Sequence, residues 1–478
     1  MLKRLFHRIC KIVVISILIF SLVVIAPIKA ESGENDIPLV FKIVRIRSLS
    51  IPGKPFFNVS ISVDGKKIEK IFRIPIRGYD VYLEWPVAYV KVPYDREEPV
   101  GIEIKLFYSL LPFGAKRECD ISKDGKSLNI VYDVRRGEWR GEDFLGDGNG
   151  YGHSSGFEDG NYNENDCEIW FDIYQVRTSG RFFSSDRLTL WELENVYHLD
   201  PSLDYSTLDI DNDGIPTSWE DKYGYDPLSW DDHKNMDPDR DGLDNIEEWK
   251  TSKWLSDPFA QDIFIEVDYM QTNRLYPRVY TFPEKSQQML LNAFAKHNIT
   301  VHIDDGKLGG GGDIIPFDPE LTGEELMQIR EKYFLRGDPN NWRRGVFHYA
   351  IFCCKIKTYG RSACGRMFYT DSFVIAEQCV RHWIPVFYLR GSSYPQAMAS
   401  VFMHELGHNL GIFHSNTPGC DNENTRFPWQ REYWKYGNYK SCMNYRYVYK
   451  LVDYSDGTHG ENDFDDWDRI DLTLINYA

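Results

Sequence analysis

Hydrophobic and polar residues alternate along the N-terminal part of the chain. Residues 57–63, 81–85 and 128–132 each show the two-residue period of a strand with one buried face, and Gly, Pro or Asp residues separate them. Several short strands divided by turns are typical of an antiparallel sandwich. We therefore predict an all-β sandwich domain over residues 31–195.

The pattern changes at residue 262, where a strongly apolar run begins. Helical periodicity then alternates with further apolar runs, which favours an α/β domain over residues 259–478. The predicted helices are 284–296, 319–333 and 395–410, and the predicted strands are 262–268, 299–303, 346–355 and 373–376. We interpret glycines 309–312 as a flexible connector, because no Gly-Lys-Ser/Thr follows them as in a phosphate loop.

Residues 204–258 contain two copies of the twelve-residue calcium loop. Such a loop has oxygen ligands at positions 1, 3, 5 and 12, glycine at 6, and a residue at 7 whose carbonyl binds the ion. The first copy supplies Asp209, Asp211, Asp213, Ile215 and Glu220, and the second supplies Asp237, Asp239, Asp241, Leu243 and Glu248. Two metal-free Asp-rich turns are the alternative. The short flanking helices resemble dockerin or thrombospondin type 3 linkers, which implies a structural spacer.

The composition and the N-terminal residues indicate the class of partner and the location of the protein. The chain has 478 residues, too many for one core, and 72 acidic against 55 basic residues argue against a nucleic-acid partner. A basic stretch, an apolar run over 12–28 and the small Ala30 predict a signal peptide over residues 1–30. An uncleaved anchor at 12–28 is the alternative, and in both cases the remainder is exported, either secreted or held at the cell surface.

The nine cysteines are consistent with export. Removal of Cys10 with the signal peptide leaves an even number, which suits disulfide bonds in an oxidising compartment. Many connectivities are compatible with this number. Proximity along the chain suggests Cys119 with Cys167 and Cys364 with Cys379.

Residues 404–414 read His-Glu-Leu-Gly-His-Asn-Leu-Gly-Ile-Phe-His, which predicts a zinc site. His404 and His408 are four residues apart and project from one face of a helix, so both can reach a metal at about 2.0–2.1 Å. His414 would lie about 15 Å from His404 along the same helix. The helix therefore has to end first, and Gly411 suits that end. A helix whose histidines only pack together is the alternative.

Together with Ser-Cys-Met-Asn-Tyr at 441–445, the motif resembles that of the metzincin zinc proteases. The resemblance implies an α/β metzincin domain in which Met443 forms a Met turn beneath the histidines. It also implies that Tyr445 stabilises the tetrahedral intermediate, as in astacins, serralysins and pappalysins. Pappalysins have a cysteine pair similar to Cys420 and Cys442, so a bridge is expected here. Family members pair the substrate backbone with an edge strand, for which 373–376 is the candidate.

The predicted function is a secreted zinc endopeptidase stabilised by Ca²⁺. Glu405 follows the first histidine and is placed to act as general base on a zinc-bound water. A protein or peptide is the expected substrate, and a membrane is a partner only if residues 12–28 are retained. The β-sandwich, loosely similar to C2-type sandwiches, is a candidate for binding a surface ligand.

Three alternatives stay open at this point. The chain could be a calcium-dependent surface or adhesion protein with a vestigial protease domain. It could be a zinc hydrolase that acts on bonds other than peptides. The N-terminal domain could also be a pro-region whose Cys or Asp occupies the zinc.

Overall fold

The computed structural model describes residues 36–68, 76–83, 86–112, 114–142, 150–179, 182–184, 188–273, 278–357, 363–383 and 391–478. The predicted signal peptide over 1–30 lies outside the described residues. Among the described helices, none has the length and apolar character needed to cross a bilayer.

Two antiparallel sheets occupy the N-terminal part of the described chain. The first consists of β1 (Asp36–Ser48), β5 (Asp80–Tyr82), β6 (Ala88–Pro93), β11 (Gly152–Ser155) and β12 (Cys167–Gln175), in the order β11-β12-β1-β5 with β6 also paired to β1. The second consists of β2 (Phe56–Val63), β3 (Lys66–Lys67), β4 (Ile76–Arg77), β7 (Val100–Ser109), β8 (Arg117–Glu118), β9 (Ser127–Tyr132) and β10 (Trp139–Gly141). Its order is β10-β9-β7-β2-β3, with β4 on β2 and β8 on β7.

Alternating burial explains why these strands form a packed pair of sheets. In β7 and β9 every second residue is buried. The buried faces of both sheets contribute to one hydrophobic cluster that includes Phe41, Phe57, Trp139 and Phe171. The prediction of a β-rich, antiparallel N-terminal region is therefore confirmed.

The segment that follows has little regular secondary structure. It contains the hairpin of β13 (Arg177–Ser179) and β14 (Phe182–Ser184), followed by the helices α1 (Leu190–Asn195), α2 (Thr217–Tyr223) and α3 (Asn245–Thr251) and the 3₁₀ turns His233–Asn235 and Ser252–Trp254. Leu243, from the second predicted calcium loop, belongs to the hydrophobic core of the α/β part of the chain. The second loop is thus packed onto that part and is not an independent spacer.

A third, mostly parallel sheet forms the centre of the C-terminal part. Its strands are β15 (Asp262–Met270), β16 (Thr300–Asp304), β17 (Ile314–Ile315), β18 (Phe347–Cys353), β19 (Gly365–Tyr369) and β20 (Ser372–Ala376), in the order β16-β15-β18-β20-β19 with β17 on β15. Only the β19–β20 pairing is antiparallel. Strands β16, β18 and β20 are buried throughout, as expected for parallel strands covered on both faces.

Helices pack around this sheet. They are α4 (Glu284–Ala295), α5 (Gly323–Ile329), α6 (Glu377–His382), α7 (Tyr394–Asn409) and α8 (Arg431–Lys435), with a π-turn at Arg330–Phe334 and 3₁₀ turns at Glu423–Thr425 and Leu472–Tyr477. The helices predicted at 284–296 and 395–410 are confirmed. The helix predicted from 319 begins only at 323, because Thr322 caps it and accepts a hydrogen bond from Glu325 N. The described part of the chain is a β-rich mixture of sheets and helices.

The prediction that residues 373–376 form an edge strand is wrong. Residues 373–376 lie in β20, which is an inner strand between β18 and β19, and the edge strand is β19. The strand β19 is hard to recognise in the sequence, because it begins with Gly and Arg and none of its residues is fully buried. A short turn at Thr370 and Asp371 joins β19 to β20, and the antiparallel pairing of the two strands places β19 at the edge of the sheet.

Three of the glycines at 309–312, namely 310–312, are packed against neighbouring atoms and do not form a flexible connector, whereas Gly309 faces open space. A Cβ at Gly310 would clash with the guanidinium of Arg343, and one at Gly311 would clash with Asp304 O. The Asp304 carboxylate accepts hydrogen bonds from Gly310 N at 2.8 Å and Leu308 N at 3.1 Å. Small residues are needed here because the backbone approaches a buried ion pair.

One disulfide is present among the described residues. It joins Cys364, at the start of β19, to Cys379 in α6, which confirms that suggested pairing. Cys119, Cys167, Cys420 and Cys442 are buried free thiols, so neither of the other two expected bridges is formed. The Cys420 thiol lies 4.0 Å from Ile412 O, on the turn of the histidine motif.

Candidate metal centres

Helix α7 positions the first part of the histidine motif. Ser393 caps its N-terminus by accepting a hydrogen bond from Gln396 N, and Pro395 occupies the first turn. The helix ends at Asn409, and Gly411 has a φ of 92°. The predicted termination before His414 is therefore confirmed. The rings of His404 and His408 lie on one face with their centroids 4.9 Å apart.

All three histidines are oriented in the same way. The Nδ1 atom of each ring lies within hydrogen-bond distance of a backbone carbonyl, which only accepts, so Nδ1 carries the proton and Nε2 is left as the metal-binding atom. The pairs are His404 with Cys442 (2.9 Å), His408 with Ile412 (2.7 Å) and His414 with Cys420 (2.8 Å). This arrangement is typical of histidines that bind a metal.

Asp421 belongs to the site although sequence reasoning missed it. Its carboxylate oxygens lie 3.1 Å from His404 Nε2 and 3.2 Å from His408 Nε2. The ligand atoms of these three residues all lie within 4.8 Å of one another. Burial alone would lower the pKa of His404, but the hydrogen bond and charge of Asp421 outweigh it and raise that pKa to about 9. A left-handed backbone at Asp421, with φ of 52°, aims the side chain at the histidines.

Glu405 lies against the edge strand. Its side chain is 6% exposed, and it contacts Gly365, where a Cβ would clash with the carboxylate. Burial raises the pKa of Glu405, while His404 and His408 act in the opposite direction. The carboxylate thus lies between the histidine helix and the first residue of β19.

Met443 and Tyr445 lie next to the histidine helix. Met443 is fully buried beneath Gly407, and a Cβ added to Gly407 would come within 2.6 Å of Met443 Sδ. The Tyr445 ring stacks on His404 with centroids 5.8 Å apart. Burial and a hydrogen bond to Asp421 raise the pKa of Tyr445. The fold therefore brings the motif and the 441–445 segment together.

The two predicted calcium loops have the same backbone conformation. In each, the carboxylate at position 1 accepts a hydrogen bond from the glycine N–H at position 6, at 2.9 Å for Asp209 and Gly214 and at 3.1 Å for Asp237 and Gly242. The residue at position 4 is left-handed in both, with φ of 64° at Asn212 and 62° at Arg240. The repeat seen in the sequence is thus a repeat of structure.

Oxygens at the centre of both loops are buried without a hydrogen-bond partner. They are both carboxylate oxygens of Asp211 and of Glu220, Asp237 Oδ1, Asp239 Oδ2 and Glu248 Oε1. Burial, followed by neighbouring carboxylates, raises the pKa of Asp239 to about 9. Unsatisfied buried oxygens are costly, and a divalent cation would satisfy them. The residues present therefore fit a divalent cation in each loop, and calcium remains the ion that the spacing predicts.

The chain was also compared with known proteins. Neither a protein-family model nor a curated protein matches it. The chemical interpretation consequently depends on the geometry of His404, His408, His414, Glu405 and Asp421, and on the two loops.

Proposed function

We propose that the chain is an exported, calcium-stabilised zinc endopeptidase of the metzincin type. The observation that carries this proposal is the orientation of the three histidines. Each Nδ1 is held by a backbone carbonyl, so each ring would bind a metal through Nε2, the atom that faces Asp421 in His404 and His408. A protein or peptide is the substrate we infer, because an open zinc site beside an exposed edge strand suits an extended chain.

Imidazole donors fit zinc, which when bound polarises a carbonyl and lowers the pKa of a bound water to about 7. Glu405 then accepts the proton of the attacking water and passes it to the leaving amine. Its raised pKa makes the carboxylate a better proton acceptor. The Tyr445 ring stacks on His404 and its hydroxyl bonds to Asp421, so in this proposal the hydroxyl would donate a hydrogen bond to the developing oxyanion.

The edge strand β19 orients the substrate in this proposal. Among the described residues, β19 pairs on one side only, with β20, so its outer side can accept an extended peptide as an additional strand. Gly365 at its start touches Glu405. A peptide paired there would pass the general base.

Asp421 favours a second candidate. Ligands of a tetrahedral zinc at about 2.0–2.1 Å lie about 3.3 Å apart, and the oxygens of Asp421 are 3.1 and 3.2 Å from two Nε2 atoms. Asp421 is therefore close enough to serve as a protein ligand in place of water. A site closed in this way is structural, as in a calcium-dependent surface or adhesion protein with a vestigial protease domain.

Cleavage of a quenched-fluorescence peptide library by the purified chain, with metal analysis of the same sample, tests both candidates. We expect Glu405→Ala to retain zinc and lose at least 10²-fold in cleavage, the scale for a general base. Glu320→Ala, an exposed glutamate, serves as the matched control. Undiminished cleavage by Glu405→Ala would overturn the mechanism.

Asp421→Ala separates the open site from the closed one. An inactive zinc-loaded parent that becomes active in this variant would establish the closed site. Absence of cleavage in both proteins, with zinc bound, would favour the adhesion candidate over the protease.

A further inference from the structure

The ring of His233 faces the first calcium loop. His233 is only 1% exposed, and its Nε2 lies 3.0 Å from Asp213 Oδ2 and 3.7 Å from Glu220 Oε1. Despite this proximity, Nε2 has no partner in hydrogen-bond geometry, and neither carboxylate oxygen of Glu220 has one. The nitrogen is therefore aimed between the carboxylates, at the position from which an ion would contact all three side chains.

The surroundings hold the ring in this orientation. Tyr225 and Trp219 contact it edge to face, with centroids 4.9 and 6.1 Å away. On the opposite side of the ring, Nδ1 lies 2.9 Å from the amide of Asn245, the first residue of α3. His233 thus cannot turn away from the loop without breaking this packing.

The Asn245 amide also determines which ring nitrogen carries the proton. Asn245 Oδ1 is buried without a partner when Nδ2 faces the ring. The amide nitrogen and oxygen exchange places by a half-turn of the terminal group. With the oxygen facing the ring, it accepts a hydrogen bond from Nδ1–H, and Nε2 presents a lone pair to the loop.

A nitrogen ligand changes the ion that the loop prefers. Calcium is bound by oxygen ligands, whereas imidazole suits transition ions, and carboxylates suit Mn²⁺ and Zn²⁺ as well as Ca²⁺. The residues predicted to bind in the second loop offer oxygen only. The two loops therefore differ in chemistry despite their common backbone.

We propose that the first loop is a mixed nitrogen–oxygen site that binds a divalent transition ion in preference to Ca²⁺, with His233, Asp213 and Glu220 among its ligands. This proposal rests on the proposed role of both loops as cation sites, and it assigns Ca²⁺ to the second loop alone. The ligand atoms of the three residues lie within 4.8 Å of one another.

Mn²⁺ is the probe for the test, because electron spin-echo modulation detects ¹⁴N of an imidazole bound to it. The full-length chain carries His404→Ala and His408→Ala, so that the zinc-motif helix contributes no ring nitrogen. We expect one tightly bound Mn²⁺ with nitrogen modulation in the presence of excess Ca²⁺. His233→Gln should abolish the modulation and weaken Mn²⁺ binding about tenfold or more, with Ca²⁺ binding unchanged.

His198→Gln is the matched control, because His198 is an exposed histidine of the same segment. It should leave both signals intact. Bound Mn²⁺ without nitrogen modulation would overturn the proposal, and this readout applies even if His233→Gln fails to fold. Failure of both Mn²⁺ and Ca²⁺ to bind would instead refute the cation role of the loops.

Discussion

At the scale of single residues, the contact between Gly407 and Met443 connects the histidine helix to the segment below it. Gly407 lies between His404 and His408 in the chain, and Met443 Sδ and Tyr454 Oη occupy the space where a Cβ would stand, at 2.6 and 3.0 Å. Both side chains are buried, so neither can move into solvent. Any side chain at position 407 would therefore displace the helix from Met443 and Tyr454.

We expect Gly407→Ala to destabilise the protein by about 1–3 kcal/mol, the usual cost of overpacking a core. Denaturant unfolding measures the change. Gly323→Ala is the control, since Gly323 lies in a helix and a Cβ there meets nothing within 4 Å. That variant should gain about 0.5–1 kcal/mol. Equal effects of the two substitutions would show that the Met443 contact is unimportant.

Local spacing predicted several parts of the site, but not all of it. The histidine helix, its end at Gly411 and the loop carboxylates follow from residue spacing within short segments. Asp421 and His233 were missed because their roles depend on contacts between segments that no spacing rule relates. Asp421 lies in a turn between the motif and Met443, and only the folded chain shows its carboxylate facing two rings.

At the scale of elements, the second predicted calcium loop is joined to the central sheet. Asp241 accepts hydrogen bonds at 2.8 Å from Leu243 N within the loop and from Asp262 N at the start of β15. Leu243 packs into the same core as β15. Order in this loop is therefore coupled to order in the sheet that carries β19.

Calcium should consequently stabilise the α/β part through the second loop. At a hundredfold excess over its dissociation constant, a ligand adds about 2.7 kcal/mol to stability. We expect Asp241→Asn to remove most of the rise in Tm on adding Ca²⁺, and Asp209→Asn in the first loop to remove little or none of it. Thermal unfolding in calcium and in chelator measures this difference, and the reverse order would contradict the coupling.

The disulfide between Cys364 and Cys379 fixes the start of the edge strand. It closes a loop with a sequence separation of 15 residues, for which chain entropy gives about 3 kcal/mol of stabilisation. We expect the double variant Cys364→Ser and Cys379→Ser to lose stability on this scale and to raise the KM for peptides more than it lowers kcat. An unchanged KM would argue against β19 as the substrate strand.

The strands themselves were predictable where burial alternates or is continuous, as in β9 and β18. The order of strands was not, because pairing joins residues far apart in the chain. The apolar sequence of residues 373–376 predicts a strand but not its position in the sheet, where β19 covers it on one side.

At the scale of the whole molecule, buried ion pairs stabilise the N-terminal sheets. Arg47 in β1 pairs with Glu168 in β12, and both are almost fully buried. Burial alone would raise the pKa of Glu168, but the charge of Arg47 and a hydrogen bond from His153 lower it to about 2. Burial also lowers the pKa of Arg47, although an arginine stays protonated at acidic pH.

A carboxyl with a lowered pKa in the folded state adds stability above its unfolded pKa of 4.5. We therefore expect the free energy of unfolding to fall as the pH drops from about 5 to about 2. Glu168→Gln should flatten this dependence and leave a less stable protein, since Arg47 then loses its partner. Glu138→Gln, in the exposed pair with Arg140, is the control and should leave the pH profile unchanged.

The N-terminal sheets also rest directly on helix α4 of the C-terminal part. Gln288 and Asn292 donate side-chain hydrogen bonds to Ser48 O at 3.0 Å and Leu49 O at 2.6 Å. Leu49 and Phe157 form a buried apolar cluster with Ala295 of that helix. Removing these sheets would expose this side of α4 to water and leave the side-chain amides of Gln288 and Asn292 without their carbonyl partners. The surface of α4 therefore depends on the N-terminal sheets for both its polar and its apolar contacts.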